Sequence, residues 1–306
     1  MKLGKNKWAK PVVVVDKQLY IGRFAPSPTG PLHFGSLYTA LASFLQARSK
    51  KGLWLLRIDD LDTPRNIKGA TDSILKTLDI FGLHWDGCVF YQNQLIDIYH
   101  DFLDKLLKEK LIYPCTCSRK ILTDVYSGLC REKQVVPQSP YSYRLKTDNR
   151  IISFNDELQG LILYHIAVHG DFILKRKDQV IAYQFAVVID DNRQRINHVV
   201  RGYDLLDSTP RQIYLQQLLG FDTPDYMHVP VIIDEQGYKL SKQTLATAVD
   251  QKYPHKVIYE LLTLLKQKPP AELQQASVAE MLNWGIEHWN PMLLENYQTI
   301  TRPSNY

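Results

Sequence analysis

The sequence predicts an α/β fold built on a parallel sheet, with an inserted α+β subdomain and a short helical C-terminal region. Over residues 19–110, segments typical of strand, glycine loop, helix, strand and helix follow one another. A stretch with clustered cysteines and short alternating segments then breaks this order, and the α/β pattern returns near residue 185. We therefore divide the chain into 1–110, 111–185, 186–245 and 246–306.

The first half begins with a short apolar segment at 19–21 and a loop stiffened by prolines. A helix is predicted from Gly35, because apolar side chains then recur on one face. The uninterrupted apolar run 53–58 predicts a fully buried strand. Two amphipathic helices are predicted around 74–78 and 95–106.

In the predicted insert, the alternating run 161–168 is typical of a strand. Apolar segments at 185–189, 198–200 and 229–233, with a helix at about 208–219, resume the α/β pattern. The C-terminal region reads as helical, with an apolar stripe that ends at a pair of prolines. The two α/β segments would thus form one nucleotide-binding domain around the insert.

Composition limits the class of protein. With 45% hydrophobic and 23% charged residues, the chain of 306 residues has the balance of a globular protein. The net charge of +5 is compatible with an RNA partner but does not indicate one. The apolar run Val12–Val15 is too short for a signal peptide and reads as a buried strand. We expect a cytoplasmic protein with no membrane partner.

The first chemical motif is Arg23-Phe-Ala-Pro-Ser-Pro-Thr-Gly-Pro-Leu-His33-Phe-Gly-Ser36. Its glycines permit close backbone approach, and the helix that follows directs its N-terminal amides at the loop. An imidazole there can donate a hydrogen bond to a phosphate oxygen as charge shifts. From spacing alone, the alternative of an ordinary loop with His33 as a helix cap stays open.

The second motif is Gly237-Tyr-Lys239-Leu240-Ser241-Lys242-Gln243. Two lysines three residues apart on a glycine-led loop suit a mobile clamp on a departing pyrophosphate. Alone, the motif is equally typical of a solvated surface loop. One motif opens the α/β pattern and the other closes it, and this pairing favours a nucleotide site.

These motifs carry a family resemblance. His33-Phe-Gly-Ser36 resembles the HIGH motif of class I aminoacyl-tRNA synthetases, and Lys239-Leu-Ser-Lys242-Gln243 resembles their KMSKS loop. Flanking segments resemble the glutamyl branch: Gly22-Arg-Phe-Ala-Pro-Ser-Pro-Thr-Gly30, Arg57-Ile-Asp-Asp-Leu-Asp62 and Val200-Arg-Gly-Tyr-Asp-Leu-Leu-Asp-Ser-Thr-Pro-Arg211. Members of that branch commonly have a small hydroxyl residue where this chain has Ser36. The resemblance covers residue 19 to about 245 and implies a Rossmann-type catalytic domain.

The resemblance also implies roles for particular residues. The catalytic residues would be His33, Lys239 and Lys242. The residues that contact ATP would all belong to the two signature motifs: His33, Gly35, Ser36, Lys239, Leu240, Ser241, Lys242 and Gln243. Glutamate would contact Arg23, Phe24, Ala25, Pro26, Ser27, Asp59, Tyr183 and Arg201. Among these, the arginines are the natural carboxylate partners and Asp59 the ammonium partner. A structural salt bridge is the alternative for each charged residue taken alone.

Asp59 departs from the family, which usually has glutamate at this position. The shorter side chain would leave the ammonium bridged by water, or would shift the role to Asp60.

A cluster of cysteines extends the resemblance to one group within the glutamyl branch. Cys115-x-Cys117 and Tyr126-x-x-x-Cys130 resemble the zinc site of glutamyl-Q tRNA synthetases, and thiolates suit Zn²⁺. Tyr126 as fourth ligand comes only from the resemblance, and water or Glu132 are alternatives. The alternative to a zinc site is that these are three free cysteines near a turn. Such clustering indicates a metal site in a reducing compartment rather than disulfides.

Length points to the same branch, because only about 60 residues follow the lysine loop, too few for the anticodon-binding portion of a glutamyl-tRNA synthetase. The resemblance then implies ATP- and Mg²⁺-dependent activation of glutamate by a monomer. The acceptor would be the queuosine base at the wobble position of tRNA(Asp), presented by the anticodon stem-loop. The alternatives are a short glutamyl-tRNA synthetase that charges the 3′ end, and a non-catalytic tRNA-binding paralogue.

Overall fold

The computed structural model describes residues 19–118, 125–126, 128–133, 138–239 and 249–303. Two predicted features lie outside the described residues: the strand at 12–15, and the lysine-loop residues Leu240, Ser241, Lys242 and Gln243. Among the described residues, every helix is too short or too polar to cross a bilayer.

The first half of the α/β unit alternates strands and helices: β1 (Ile21–Phe24), α1 (Phe34–Ser49), β2 (Leu53–Ile58), α2 (Ala70–Ile80), β3 (Phe90–Tyr91) and α3 (Ile96–Lys108). Its three strands form a parallel sheet in the order β1-β2-β3. The predicted strand is confirmed as β2, but it is not fully buried: Trp54, Leu56 and Ile58 have no exposed surface, whereas Leu53 and Leu55 are partly exposed. The predicted helix from Gly35 is confirmed as α1.

The middle of the chain contributes strands to two sheets: β4 (Ile112–Cys115), β5 (Ser142–Leu145), β6 (Ile151–Asp156), β7 (Gly160–His165) and β8 (Phe172–Lys175). Strands β4, β5 and β8 form an antiparallel sheet of their own. The predicted strand at 161–168 ends at His165, because Ile166 turns into the core at the start of a 3₁₀ turn.

The second half of the α/β unit follows: α4 (Tyr183–Arg193), β9 (His198–Gly202), α5 (Thr209–Leu219), β10 (Asp225–Val229) and β11 (Val231–Ile233). The apolar run 185–189 lies in α4, and all five of its residues are buried. A helix buried around most of its circumference has no polar face, so its sequence shows no helical period.

The sheets of the two halves meet between β1 and β9. The Ile21 N–H donates to Asn197 Oδ1 over 2.8 Å, and the Asn197 N–H donates to the Ile21 carbonyl over 3.1 Å. Strand β9 then continues into a sheet with the order β9-β10-β6-β7. Hairpin β6–β7, which the sequence places in the insert, therefore extends the sheet of the second half, while the four predicted segment boundaries stay a prediction.

The C-terminal region contains two helices and a strand: α6 (Pro254–Leu264), α7 (Val278–Glu287) and β12 (Thr299–Thr301). Leu261, Leu262 and Met281 are fully buried in the same core as α1 and β2, so these helices cover the first sheet. The sequence did not predict β12, which pairs in parallel with β11. A strand of three residues needs a partner edge, and each residue of β12 pairs with a residue 68 positions earlier in the sequence, as in Val231 with Thr299.

Candidate active site

A cavity of about 270 Å³ opens where the carboxyl ends of β1, β2 and β9 meet the start of α1. In parallel α/β sheets, ligands bind at this edge. Every predicted ATP- or glutamate-contacting residue that the structure describes lines the cavity: Arg23, Phe24, Ala25, Pro26, Ser27, His33, Gly35, Ser36, Asp59, Tyr183, Arg201 and Lys239. Arg57 and Asp204 also line it. Both belong to the motifs analysed above, but neither spacing nor residue type assigned them a role.

His33 is the N-cap of α1, so the helix-cap interpretation of this residue is correct. Its Nδ1 accepts from the Ser36 N–H over 3.2 Å, and its Nε2 lies 2.8 Å from Ser36 Oγ. An accepting Nδ1 leaves the proton of a neutral ring on Nε2. The same imidazole lines the cavity, so capping and ligand contact are compatible roles.

Arg23 and Asp59 both belong to a buried ionic cluster. Arg23 Nε lies 3.2 Å from Asp191 Oδ1, and Arg57 lies 2.8 Å from Asp59 Oδ1 and 2.7 Å from Asp191 Oδ1. The structural salt bridge considered for Arg23 and for Asp59 is therefore present in each case. Because both side chains also line the cavity, the cluster fixes their positions before any ligand binds.

The carboxyl groups of this cluster have opposite pKa shifts. Burial raises the pKa of Asp59 to about 6, an effect that exceeds the opposing attraction of Arg57. Burial acts on Asp191 as well, but the two flanking guanidinium groups, Arg23 and Arg57, lower its pKa overall. Asp191 thus balances the arginines, and of these two carboxyl groups Asp59 is the one that titrates nearer to neutral pH.

Asp60, the alternative to Asp59, does not line the cavity. Its Oδ1 accepts from the Asn93 backbone N–H over 2.8 Å, and Asn66 Nδ2 donates to its carbonyl. The departure from glutamate at position 59 therefore leaves Asp59 itself as the carboxyl group of this motif at the cavity.

Arg201 is held at the end of β9 by buried neighbours and is only 4% exposed. It donates from Nε to His228 Nε2 over 3.0 Å, from Nη1 to Gln212 Oε1 over 2.8 Å and from Nη2 to Thr209 Oγ1 over 2.7 Å. Its Nη1 also reaches the hydroxyl of Tyr183 at 3.3 Å. The sequence assigned no role to His228, Gln212 or Thr209, because buried polar partners have no short-range signature.

Lys239 also lines the cavity, together with Asp204. Its Nζ is 2.5 Å from Asp204 Oδ2, and both side chains are close to 40% exposed. A turn with Gly237 at φ 84° returns the chain so that Lys239 forms an isolated bridge to Ile233. The lysine loop thus leaves directly from β11, next to the cavity.

The cysteine cluster forms a second site. The sulfur atoms of Cys115, Cys117 and Cys130 lie within 4.8 Å of one another, and no carboxylate or imidazole of the described residues joins this group. The Tyr126 hydroxyl lies 3.4 Å from Cys115 Sγ and 3.7 Å from Cys117 Sγ. In a tetrahedral site with Zn–S bonds of about 2.3 Å, the sulfur atoms of two thiolate ligands lie about 3.8 Å apart. The cluster therefore has the size and donor chemistry of a zinc site.

The thiol of Cys115 ionises more readily than an ordinary cysteine. Burial raises its pKa, but hydrogen bonds involving Tyr126, the Cys117 backbone and Arg144 outweigh burial and lower the pKa to about 7. Arg144 also stacks 3.9 Å above the Tyr126 ring, which fixes the phenol beside the sulfurs. Glu132 is exposed and is not grouped with the sulfurs, so the geometry favours Tyr126 over Glu132.

The chain is similar to known proteins over most of its length. The family model described as tRNA synthetases class I (E and Q), catalytic domain, matches residues 21–128 and 126–281. Two proteins named glutamyl-Q tRNA(Asp) synthetase, from Ectopseudomonas mendocina and Pseudomonas aeruginosa, are 46% and 44% identical over 285 residues. Each alignment covers 92% of this chain and 97% of the relative.

Two solved structures of glutamate tRNA ligases are similar to this chain in fold. A glutamate tRNA ligase from Elizabethkingia meningosepticum, solved in complex with its amino acid, superposes with a TM-score of 0.77 at 25% identity. The match covers 92% of this chain and 66% of that one. The glutamate-tRNA synthetase of Elizabethkingia anophelis gives a TM-score of 0.79 at 25% identity and covers 94% of this chain and 68% of that one.

Proposed function

Because the chain belongs to the class I tRNA synthetases (E and Q), in their glutamyl-Q tRNA(Asp) synthetase group, and is a ligase, we propose that it transfers activated glutamate to queuosine. The acceptor is the queuosine base at the wobble position of tRNA(Asp), and the enzyme meets the anticodon stem-loop as a cytoplasmic monomer. Support for the queuosine acceptor comes from the names of the relatives.

One observation carries the activation chemistry: a single cavity brings together the groups that glutamate and ATP each require. Arg201 and Arg23 supply guanidinium groups for carboxylates, and Asp59 supplies a carboxylate for the ammonium. His33 and Lys239, which both line the cavity, supply an imidazole and an ammonium for the phosphates. These residues come from both halves of the sequence, and only the fold unites them.

In the first step, the α-carboxylate oxygen of glutamate attacks the α-phosphorus of ATP and pyrophosphate leaves. His33, Lys239 and Lys242 stabilise the negative charge that develops on the phosphate oxygens. In the second step, a hydroxyl of the queuosine cyclopentenediol attacks the mixed anhydride and AMP leaves. Positioning and electrostatics account for both steps without a dedicated protein base.

Gly35, Ser36, Leu240, Ser241 and Gln243 complete the proposed ATP site. Mg²⁺ would arrive with ATP, because it favours phosphate oxygens and water over a cage of protein ligands. Phe24, Ala25, Pro26, Ser27 and Tyr183 complete the proposed glutamate site. Cys115, Cys117, Tyr126 and Cys130 would hold Zn²⁺ as a structural cross-link, away from the reacting groups.

The test is glutamate-dependent ATP–pyrophosphate exchange without tRNA, followed by transfer of labelled glutamate to tRNA(Asp) with and without queuosine. We expect exchange without tRNA and label only on the queuosine-containing tRNA. Exchange that requires tRNA(Glu) would instead indicate a short glutamyl-tRNA synthetase, and a lack of exchange with any amino acid would indicate a non-catalytic paralogue.

The raised pKa of Asp59 predicts a pH-dependent affinity for glutamate. An ammonium partner must be ionised, and protonation near pH 6 removes its charge as the pH falls. We expect the KM for glutamate to rise about tenfold per pH unit below pH 6, and to level off above pH 7. Exchange kinetics between pH 4.5 and 8 measure this.

The control is Asp59→Asn, which cannot titrate. Its KM for glutamate should be high throughout and should lack the rise below pH 6. A wild-type KM that does not change over this range would exclude Asp59 as the ammonium partner.

The cysteine cluster predicts one zinc ion for each chain. We expect Cys117→Ser to lose that zinc on dialysis and to unfold at a lower temperature, because structural zinc contributes directly to folding free energy. Metal analysis and thermal unfolding check both effects, and Cys88→Ser is the matched control, since Cys88 is exposed and lies outside the cluster. Equal zinc content in the two variants would contradict the assignment.

A further inference from the structure

A buried polar chain runs behind the cavity from Asp156 on β6 to Arg201 on β9. Asp156 Oδ2 lies 2.5 Å from His228 Nδ1, and His228 Nε2 accepts from Arg201 Nε over 3.0 Å. His228 is fully buried, Asp156 is 1% exposed, and neither lines the cavity. His228 Nε2 also lies 3.1 Å from Thr209 Oγ1, which itself accepts from Arg201, so both side-chain contacts on this side of the ring involve the surroundings of Arg201.

The hydrogen bonds fix the tautomer of His228. The Arg201 guanidinium has only donors, so His228 Nε2 must be an acceptor without a proton. The remaining ring proton then lies on Nδ1 and is donated to Asp156. An imidazolium would direct an N–H at the Nε–H of Arg201. Burial, the largest influence, lowers the pKa of His228 to about 4, in agreement with a neutral ring.

Asp156 is itself held in place by the backbone. Its Oδ1 accepts from the N–H groups of Leu158, Gln159 and His228 over 3.0–3.2 Å. The tight turn between β6 and β7 thus orients the carboxylate, which in turn orients the imidazole. Position 156 belongs to the segment that the sequence assigned to the insert.

The ring faces around Arg201 are also filled. The Tyr226 ring stacks on the His228 ring with centroids 6.0 Å apart and planes at 13°, and the Arg201 guanidinium lies 5.4 Å from the Tyr226 centroid. Tyr226 is 3% exposed. The guanidinium therefore cannot shift toward the core, and its direction depends on the acceptors around it.

We infer that His228, fixed by Asp156, is a positioning residue that aims Arg201 at a carboxylate of glutamate. This role rests on the proposed function, in which Arg201 binds that carboxylate. His228 accepts the Nε–H, while Gln212 and Thr209 accept from Nη1 and Nη2. The side of the guanidinium that lines the cavity is thereby presented in one orientation, so binding glutamate requires little reordering of the arginine.

Two substitutions separate the two hydrogen bonds of the imidazole. In His228→Gln, the side-chain oxygen can take the place of Nε2 and accept from Arg201, but the donor to Asp156 is lost. In His228→Asn, the side-chain amide can take the place of Nδ1 and donate to Asp156, but the acceptor for Arg201 is lost. Both variants are neutral, so they differ chiefly in which bond remains.

The readout is ATP–pyrophosphate exchange at varied glutamate and varied ATP. For His228→Asn we expect the KM for glutamate to rise about 10- to 100-fold, as for loss of a hydrogen bond to a charged group, with the KM for ATP unchanged. His228→Gln should recover most of the glutamate affinity. If His228 had a purely structural role, both variants would lose activity to the same extent. The KM for ATP and the KM for glutamate would then change alike.

The tautomer is tested on the wild-type protein. Long-range ¹H–¹⁵N NMR, with the ring signals assigned through their correlation to the His228 backbone in the wild-type protein, should show a neutral ring protonated at Nδ1 at pH 7. A proton on Nε2, or an imidazolium, would overturn the inference even if the variants fail to fold. A folded, active His228→Asn variant with the wild-type KM for glutamate would overturn the positioning role but not the proposed function. A wild-type enzyme without exchange activity would overturn the proposed function as well.

Discussion

Replacing Lys239 by alanine is expected to lower the rate of ATP–pyrophosphate exchange about 10²- to 10³-fold, the usual cost of removing one transition-state charge partner. Lys239 lines the cavity and its Nζ pairs with Asp204. Such a half-exposed pair is worth about 0–1 kcal/mol, so its exchange for a pyrophosphate partner costs little. The loss should appear in kcat, because the charge on the leaving group develops during the reaction.

Lys242→Ala should behave in the same way, since Lys242 belongs to the same loop motif, and the double variant should lose more activity than either single one. The matched control is Lys105→Ala, because Lys105 is exposed on α3 and does not line the cavity. Thermal unfolding should be unchanged in all of these variants. A folded Lys239→Ala enzyme with at least one third of wild-type exchange would refute the clamp.

Replacing Arg57 by methionine is expected to destabilise the fold by about 3–5 kcal/mol, the cost of leaving buried charges without their partner. The Arg57 side chain is 1% exposed and contacts Asp59 and Asp191, both of which are buried. Methionine keeps most of the side-chain length but removes every donor. Burial already raises the pKa of Asp59 to about 6, and without Arg57 that carboxyl group should take up a proton at higher pH.

The control for Arg57 is Arg65→Met, which removes another arginine–aspartate pair in the same motif region. Arg65 is 70% exposed and lies 2.7 Å from Asp62, so its loss should cost less than about 1 kcal/mol. Thermal and chemical unfolding of both variants measure the difference. Equal destabilisation would mean that the burial of the cluster contributes nothing to its stability.

The succession of β1, α1, β2, α2 and α3 in the first half followed from the sequence because it depends on local patterns. The apolar run at 53–58 predicted β2, and the periodic residues after Gly35 predicted α1. The motifs around His33 and Lys239 also indicated a nucleotide site, and the described members of both line one cavity. Here the residue types, their spacing and their order along the chain carry the information.

Other features were decided only by tertiary contacts. Strand β12 forms because the edge of β11 is available to it, and helix α4 lacks a visible period because it is buried on most sides. The pairing of β6 with β10 brings Asp156 to His228, 72 residues away. No short-range pattern encodes such a pairing, since its stability comes from desolvated hydrogen bonds that exist only after the chain has folded.

The same division applies within the active site. The motifs already indicated the chemical groups of the site: guanidinium groups, a carboxylate, an imidazole and lysines. Folding alone brings Arg23 and Asp59 into one ionic cluster and sets His228 against Arg201. The physical reason is that burial and charge neighbours set the pKa and the orientation of each group, and both depend on residues that are distant in the sequence.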